Sequence, residues 1–417
     1  MSEVFGGNLT WLKVPLDLVS SLLSVGIVLW IRGRPFEELF LRRAVVGVAL
    51  AKLVGCVLIY ALLPLEGLGS DAQRFYLPQA LRVLSGEVPL RDFPTSYAPL
   101  FPYLLAPGLL LWRSPGSIVL TMLLAECAML VAYARRNRRA GFSGGWRVMF
   151  LYSLSPISWY WVGVVGTNAV LIGLFTMLAL ALAESRRDLA SGVAAALGLL
   201  FTKITMVLAW PAIALFGPQR VVLRSLPMLL ALGAALLAPS TLGVDLTERA
   251  LRLAHIATSG NAWFLLSMLA GLELEGAAVK RLSMLALLLA LAPLCLVFGA
   301  VRLRERRGGF DSAAALVAAV HLVFMVLSYK TFPWYHAGAL LFALHALFAD
   351  EAFPARRLVL LAFLGVVTHL EPRLWMFVMV REPGLLSATG GALFALDVAM
   401  LCATLYWCLL CIRRARS

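Results

Sequence analysis

Apolar runs near the ~20 residues that a membrane-crossing helix needs recur along this chain, separated by short polar stretches. They fall near 11–31, 44–63, 118–134, 148–165, 168–184, 189–203, 204–217, 222–239, 281–301, 311–329, 333–349, 357–379 and 391–412. The pattern predicts about thirteen spans. Runs 189–203 and 204–217 are short and share a boundary at Lys203, so one kinked element accounts for them equally. Segment 97–112 is apolar too, but Pro99, Pro102 and Pro107 interrupt it. If it crossed, the next run would deliver Arg135, Arg136, Arg138 and Arg139 to the exterior, against the rule that basic loops stay inside. A segment that dips in and returns, or lies at the interface, keeps those arginines cytoplasmic along with Arg32, Arg34, Arg42 and Arg43. Broken backbone at that depth is tolerated where protein covers it. Two long exterior segments follow from this reading, about 64–115 and 240–280.

Composition turns that pattern into a class. The 417 residues are 61% hydrophobic and 14% charged, with a mean hydropathy of +0.89. Soluble domains run at roughly 45–50% apolar and about 25% charged. The expectation is an all-α polytopic membrane protein forming a single domain over residues 1–417. The net charge of +14 does not point to nucleic acid, because the arginines sit in short loops between spans as topology signals. Cys56, Cys127, Cys295, Cys402, Cys408 and Cys411 lie mostly inside apolar runs and read as small apolar residues. The first apolar run ends in Arg32 and Arg34 without a small-residue cleavage site, so no cleaved leader is expected. No phosphate-binding glycine loop, dinucleotide fingerprint, HExxH or Ser-His-Asp pattern occurs, which argues against ATP hydrolysis.

The candidate chemistry lies at the ends of spans. Asp71, just beyond span 44–63, is placed to deprotonate an acceptor hydroxyl or to help hold a divalent cation near a phosphate. It equally suits a helix N-cap, since Ser70-Asp71 precedes an apolar-periodic stretch. Asp92 is a second acid, or the start of a turn before Pro94. Lys203 is an ionisable group in apolar sequence; it either contacts a phosphate oxygen or snorkels to the surface. Lys330, Trp334, Tyr335 and His336 gather around Pro333, where anion or sugar contact competes with ordinary interfacial aromatics. Arg249, Arg252 and His255 repeat at i, i+3, i+6 and suit a lipid phosphate or anionic headgroups. Asn168 marks another exterior turn that a helix cap explains as well. Glu371 with Arg373 reads as an internal ion pair, His321 and His345 as structural, and Lys52 as facing the interior or snorkelling.

The order of these features resembles the GT-C superfamily of multi-span glycosyltransferases. The resemblance runs over about 44–345 and rests on Asp71 after a span, Gly86, Asp92-Phe93 and Tyr97-Ala98-Pro99-Leu100. It continues through Lys203 with Pro211, Asn261 with Trp263, and Trp334-Tyr335-His336. It is nearest to the polyprenol-phosphate-mannose-dependent branch, including GPI mannosyltransferase I-like enzymes. The resemblance implies a GT-C transmembrane bundle with exterior juxtamembrane helices, acting in glycolipid biosynthesis on the exterior face of the plasma membrane. The implied donor is a polyprenyl-phosphate sugar (dolichyl-phosphate mannose in that branch), and the acceptor a lipid-linked or other glycan. Asp71 would be the base, and Asp92, Tyr97, Lys203, Arg249, Arg252, His255, Asn261, Trp263, Lys330, Tyr335 and His336 would contact substrate. A divalent cation (Mg or Mn) is left open, because Asp71 is followed by Ala72-Gln73 rather than completing Asp-x-Asp. Gly166-Thr167-Asn168-Ala169 also lacks the acid that relatives often carry there. The competing class is a transporter or flippase of lipid-linked sugars; it needs charges spread through the membrane depth, whereas these gather on one side. A structural assembly subunit, the third option, would leave Asp71 and Lys203 dispensable.

Overall fold

The computed structural model describes residues 37–62, 70–142, 144–217, 220–241, 261–270, 277–305, 309–329, 331–348, 356–364 and 388–416, with a few single positions between 19 and 30. Among these residues the chain is helical, and its one β feature is an isolated bridge between Pro89 and Phe93. The helices are α1 (Glu38–Leu62), α2 (Leu77–Leu84), α3 (Phe101–Leu111), α4 (Pro115–Arg139), α5 (Gly145–Leu154), α6 (Ala169–Glu184), α7 (Asp188–Phe201) and α8 (Trp210–Ala214). They continue as α9 (Val221–Thr241), α10 (Ala262–Ala270), α11 (Ala277–Glu305), α12 (Phe310–Leu327), α13 (Leu340–Phe348), α14 (356–364) and α15 (Ala388–Arg416). Two π turns, Ala72–Tyr76 and Ile157–Val162, and two 3₁₀ turns, Ile204–Ala209 and Pro333–Gly338, interrupt the series.

Five helices among the described residues are long and apolar enough to cross a bilayer: Glu38–Leu62, Pro115–Arg139, Val279–Val301, Phe310–Leu327 and Gly390–Ala415. Helix α12 is the most buried of them, and its small residues Ala313–Ala315, Ala318 and Ala319 let neighbouring helices approach closely. It packs on α13 and α15, while α7 packs between α6 and α9, and α6 also packs on α4. Helices α1 and α11 keep most of their apolar surface outward, with Leu50, Val54 and Leu58 of α1 exposed and Leu41, Val45 and Cys56 turned in. An apolar outer face of that kind suits lipid.

Several expected spans are broken instead. The run 148–165 stops at Leu154: Ser155 is extended (ψ 143°), Pro156 follows, and the chain resumes as the π turn. Proline lacks the amide hydrogen and disfavours helix in the residue before it. The run 204–217 is a 3₁₀ turn followed by the five-residue α8, and Ile204–Ala214 would rise only about 16 Å as a regular helix, against a ~30 Å apolar core. The run 333–349 divides into a 3₁₀ turn and the nine-residue α13. Segment 97–112 yields the 11-residue α3, also short of a crossing.

Polar side chains divide the bundle into a middle and two ends. In the middle, Lys52 of α1 faces the protein interior: its Nζ lies 3.0 Å from Glu126 Oε2 of α4, with both side chains 2% exposed. Lys52 also donates to Ser158 Oγ, which in turn donates to Glu126 Oε1 at 2.6 Å, so the pair ties α1 and α4 to the second π turn. At one end, Arg136 pairs with Glu184 at 2.8 Å, Arg224 with Asp188 at 2.7 Å, and His345 bridges Tyr133 (2.6 Å) and Asp311 (2.9 Å). The opposite end gathers Asp71, Asn168, Lys203 and Tyr335.

Candidate functional site

That opposite end is assembled by the breaks in the helices. After α1 the chain turns at Ser70, whose Oγ accepts the Gln73 N–H at 3.3 Å, and whose carbonyl accepts the Gln73 and Arg74 N–H groups. Asp71 makes no side-chain capping bond. Ser70 caps the turn, and the Asp71 carboxylate is released for other contacts. The π geometry of Ala72–Tyr76 then decides its neighbour. Residues five apart lie over one another in a π turn, where an α-helix would rotate them apart. Tyr76 therefore reaches back to hydrogen-bond Asp71. The Tyr76 ring is fully buried, edge-on to Tyr97 (5.0 Å) and Phe101 (4.9 Å), and its hydroxyl accepts the Asn168 backbone N–H at 3.4 Å.

Lys203 arrives from the other direction. Helix α7 ends at Phe201, Thr202 leaves the helical region (φ −128°, ψ −97°), and Lys203 is extended (φ −150°, ψ 160°). The Ala98 N–H bonds the Thr202 carbonyl at 3.1 Å and the Leu100 N–H that of Leu200 at 3.2 Å, which holds Tyr97 against this break. The Lys203 ammonium then lies over the rings of Tyr97 (4.8 Å) and Tyr335 (5.2 Å), near enough for its charge to act on Asp71. Burial raises the Asp71 pKa above the usual carboxylate value; Lys203, the Tyr76 hydrogen bond and Arg74 pull it down without cancelling that rise.

Two glycines permit the approach. Gly166 has φ +72°, and a Cβ there would sit 2.9 Å from Val119 Cγ2. At Gly338 a Cβ would be 2.8 Å from the Ala169 carbonyl, so glycine lets the 3₁₀ turn bearing Tyr335 lie against the start of α6. Behind Lys203 and Tyr335 a narrow cleft runs between α6, the Ile204–Ala209 turn and α12, lined also by Ile172, Thr176, His321 and Phe324. It is narrow, with a cavity volume of about 30 Å³.

The remaining sequence candidates are placed differently. Asp92 is exposed and closes its own turn, accepting the Val88 N–H at 2.7 Å and pairing with Arg91 at 2.8 Å; those bonds hold its pKa down at about 2. Asn261 caps α10 through the Phe264 N–H (3.0 Å) and donates to the Tyr329 carbonyl and Thr331 Oγ1 (3.4 Å each). Trp263 Nε1 donates to the Leu327 carbonyl at 2.6 Å, so Asn261 and Trp263 clamp α10 to the end of α12. His336 packs its ring against His321 at 5.4 Å. Arg249, Arg252, His255, Lys330, Glu371, Arg373 and the Trp334 side chain lie outside the described residues. The six cysteines are free thiols.

Among the described residues no group of three His, Cys, Asp or Glu side chains could hold a metal ion. Among the described residues the charged neighbours of Asp71 are the cations Lys203 and Arg74. Sequence reasoning passed over Tyr76, whose only signal was a tyrosine five residues after the acid, and Glu126, whose signal was a second ionisable residue at mid-span. His321, read from the sequence as structural, has its Nε2 without a hydrogen-bond partner among the described residues.

No family model and no curated protein matches this chain. A solved structure to which it is similar is ArnT from Cupriavidus metallidurans bound to undecaprenyl phosphate, at 14% identity and a TM-score of 0.47, covering 89% of this chain and 76% of that one. A likeness at that level leaves fold family and function to be argued from this chain's own residues.

Proposed function

We propose that this chain is an integral membrane glycosyltransferase of the GT-C type, transferring a sugar from a polyprenyl-phosphate donor to a lipid-linked or glycan acceptor on the exterior face of the plasma membrane. Mannose is the sugar that the resemblance favours. The observation that carries the reading is a half-buried carboxylate with a raised pKa, within electrostatic reach of a lysine that lines a cleft, where helices break at the end of a membrane bundle.

The chemistry follows from the charges. The Lys203 ammonium binds the donor phosphate and stabilises the charge that collects there as the glycosidic C–O bond breaks. The acceptor oxygen attacks the anomeric carbon from the opposite side, and its proton passes to Asp71, whose raised pKa suits a general base working nearer neutrality. Tyr76 orients that carboxylate. One displacement gives inversion at the anomeric carbon. Both charged groups lie at one end of the bundle, as an enzyme acting at one face requires. The test compares transfer from radiolabelled polyprenyl-phosphate mannose, glucose and arabinose by membranes carrying wild type or Asp71→Asn at matched expression. Transfer by wild type alone is expected; equal transfer by a folded Asp71→Asn variant would remove the base, and transfer by neither from any donor would remove the enzyme.

A further inference from the structure

The two ring contacts of Lys203 come from elements that are fixed independently of it. Tyr97 precedes α3. Its N–H donates to Thr95 Oγ1 at 3.1 Å, Thr95 Oγ1 donates to Gln79 Oε1 of α2 at 2.7 Å, and its ring packs on Phe101 at 5.1 Å. Tyr335 belongs to the 3₁₀ turn before α13. Its N–H donates to the Phe332 carbonyl at 2.9 Å, and its ring meets Phe332 edge-on at 5.6 Å and Phe324 at 6.3 Å. Between them, the extended backbone at Lys203 delivers the ammonium to 4.8 Å from the Tyr97 ring centroid and 5.2 Å from that of Tyr335. Tyr97 has a second contact in the other direction, edge-on to Tyr76, the residue that hydrogen-bonds Asp71.

We propose that Tyr97 and Tyr335 are positioning residues that clamp the Lys203 ammonium between their ring faces, and that Tyr97 also ties this cation to the Asp71 arm of the site. The inference rests on the reading of Lys203 as the phosphate contact. An ammonium on a flexible stem inside apolar sequence either finds an anion or leaves for water. A carboxylate partner would fix it but cancel the charge that a phosphate needs. Ring faces attract it through their quadrupole and carry no charge of their own, so the positive charge is kept for the donor. Such contacts strengthen as water is excluded, and both tyrosines are partly buried. Holding the ammonium before the lipid arrives removes the entropic cost of ordering a lysine side chain on binding. Tyr97 and Tyr335, placed by the sequence among the substrate contacts, then act through Lys203. The edge contact of Tyr97 with Tyr76 sets how far the phosphate-binding cation lies from the base.

Binding of farnesyl phosphate, with farnesol as the uncharged control, separates the clamp from ordinary packing. The purified full-length protein in detergent would be titrated with both, by tryptophan fluorescence and thermal shift. Tyr335→Phe keeps the ring face and should hold farnesyl phosphate affinity within about twofold; Tyr335→Leu should weaken it about fivefold and leave farnesol binding unchanged. Mono-, di- and trifluorophenylalanine at position 335 keep the packing while draining the negative face of the ring, so affinity should fall stepwise with fluorine number. A flat series, or one that rises with fluorination, would overturn the clamp, as would a Tyr335→Leu that weakens farnesol and farnesyl phosphate equally. A Tyr335→Phe variant as weak as Tyr335→Leu would assign the phosphate to the hydroxyl and overturn it too. In transfer assays Tyr97→Leu should raise the donor KM and also lower kcat, while Tyr335→Leu should act on KM alone; identical splits at the two positions would remove the tie to Asp71. Lys203→Met is the separate control: farnesyl phosphate affinity that survives it removes the phosphate reading itself.

Discussion

Removing the Glu126 charge should destabilise the bundle more than any change to its lipid-facing surface. Glu126→Gln preserves the shape and an acceptor for Ser158, but leaves the Lys52 ammonium without its anion in a site where both side chains are 2% exposed. At 3.0 Å the pair interacts by about 5 kcal/mol with an effective dielectric near 20. Breaking a buried pair from one side typically costs about 3–5 kcal/mol, because the remaining charge stays desolvated. Lys52 keeps Ser158 Oγ and the Trp159 ring, at 5.5 Å, neither of them an anion. The loss should therefore sit near 3–5 kcal/mol for Glu126→Gln, and near zero for Lys52→Met with Glu126→Leu, which removes both charges and fills the volume. The assay is reversible unfolding in mixed detergent micelles followed by circular dichroism, arranged as a double-mutant cycle. If Glu126→Gln falls within about 1 kcal/mol of wild type, or the double variant loses the sum of the singles, the ion pair does not hold α1, α4 and the second π turn together.

Three further outcomes follow. Tyr76→Phe removes a hydrogen bond that favours ionised Asp71, so the Asp71 pKa should rise further; the acidic limb of the kcat profile should move to higher pH and KM should change little, as a pH–rate series would record. Gly166→Ala places a side chain at φ +72° and 2.9 Å from Val119, so stability measured by thermal unfolding should fall by about 1–3 kcal/mol. Asp92→Asn, at an exposed turn whose carboxylate is satisfied by Arg91 and Val88, should leave transfer rate and KM within about twofold, and a tenfold rise in KM would place Asp92 in the substrate site after all.

The class was legible in one dimension. Apolar runs of bilayer length, sparse charge and arginines in short loops fix a helical membrane bundle, because each property acts on its own segment and needs no partner. Asp71 and Lys203 stood out for the same reason, as charged residues at the edges of apolar runs. Where the helices would break was partly legible. Pro156 marks one break and the boundary at Lys203 between two short apolar runs marks another, but the 3₁₀ form of Ile204–Ala209 has no such signal in the sequence. What the sequence could not supply was who meets whom. Tyr76 joins Asp71 because five residues form a π turn, a choice set by the packing of Tyr76 between Tyr97, Phe101 and Asn168. Lys52 finds Glu126 across 74 positions of chain, and His321 borders a cleft whose other walls come from α6 and from the turn after Lys203. Periodicity reports the side chain's own environment, apolar or polar. Pairing of charges and the shape of a cavity arise only when separate helices are brought together, and there the tertiary structure decides.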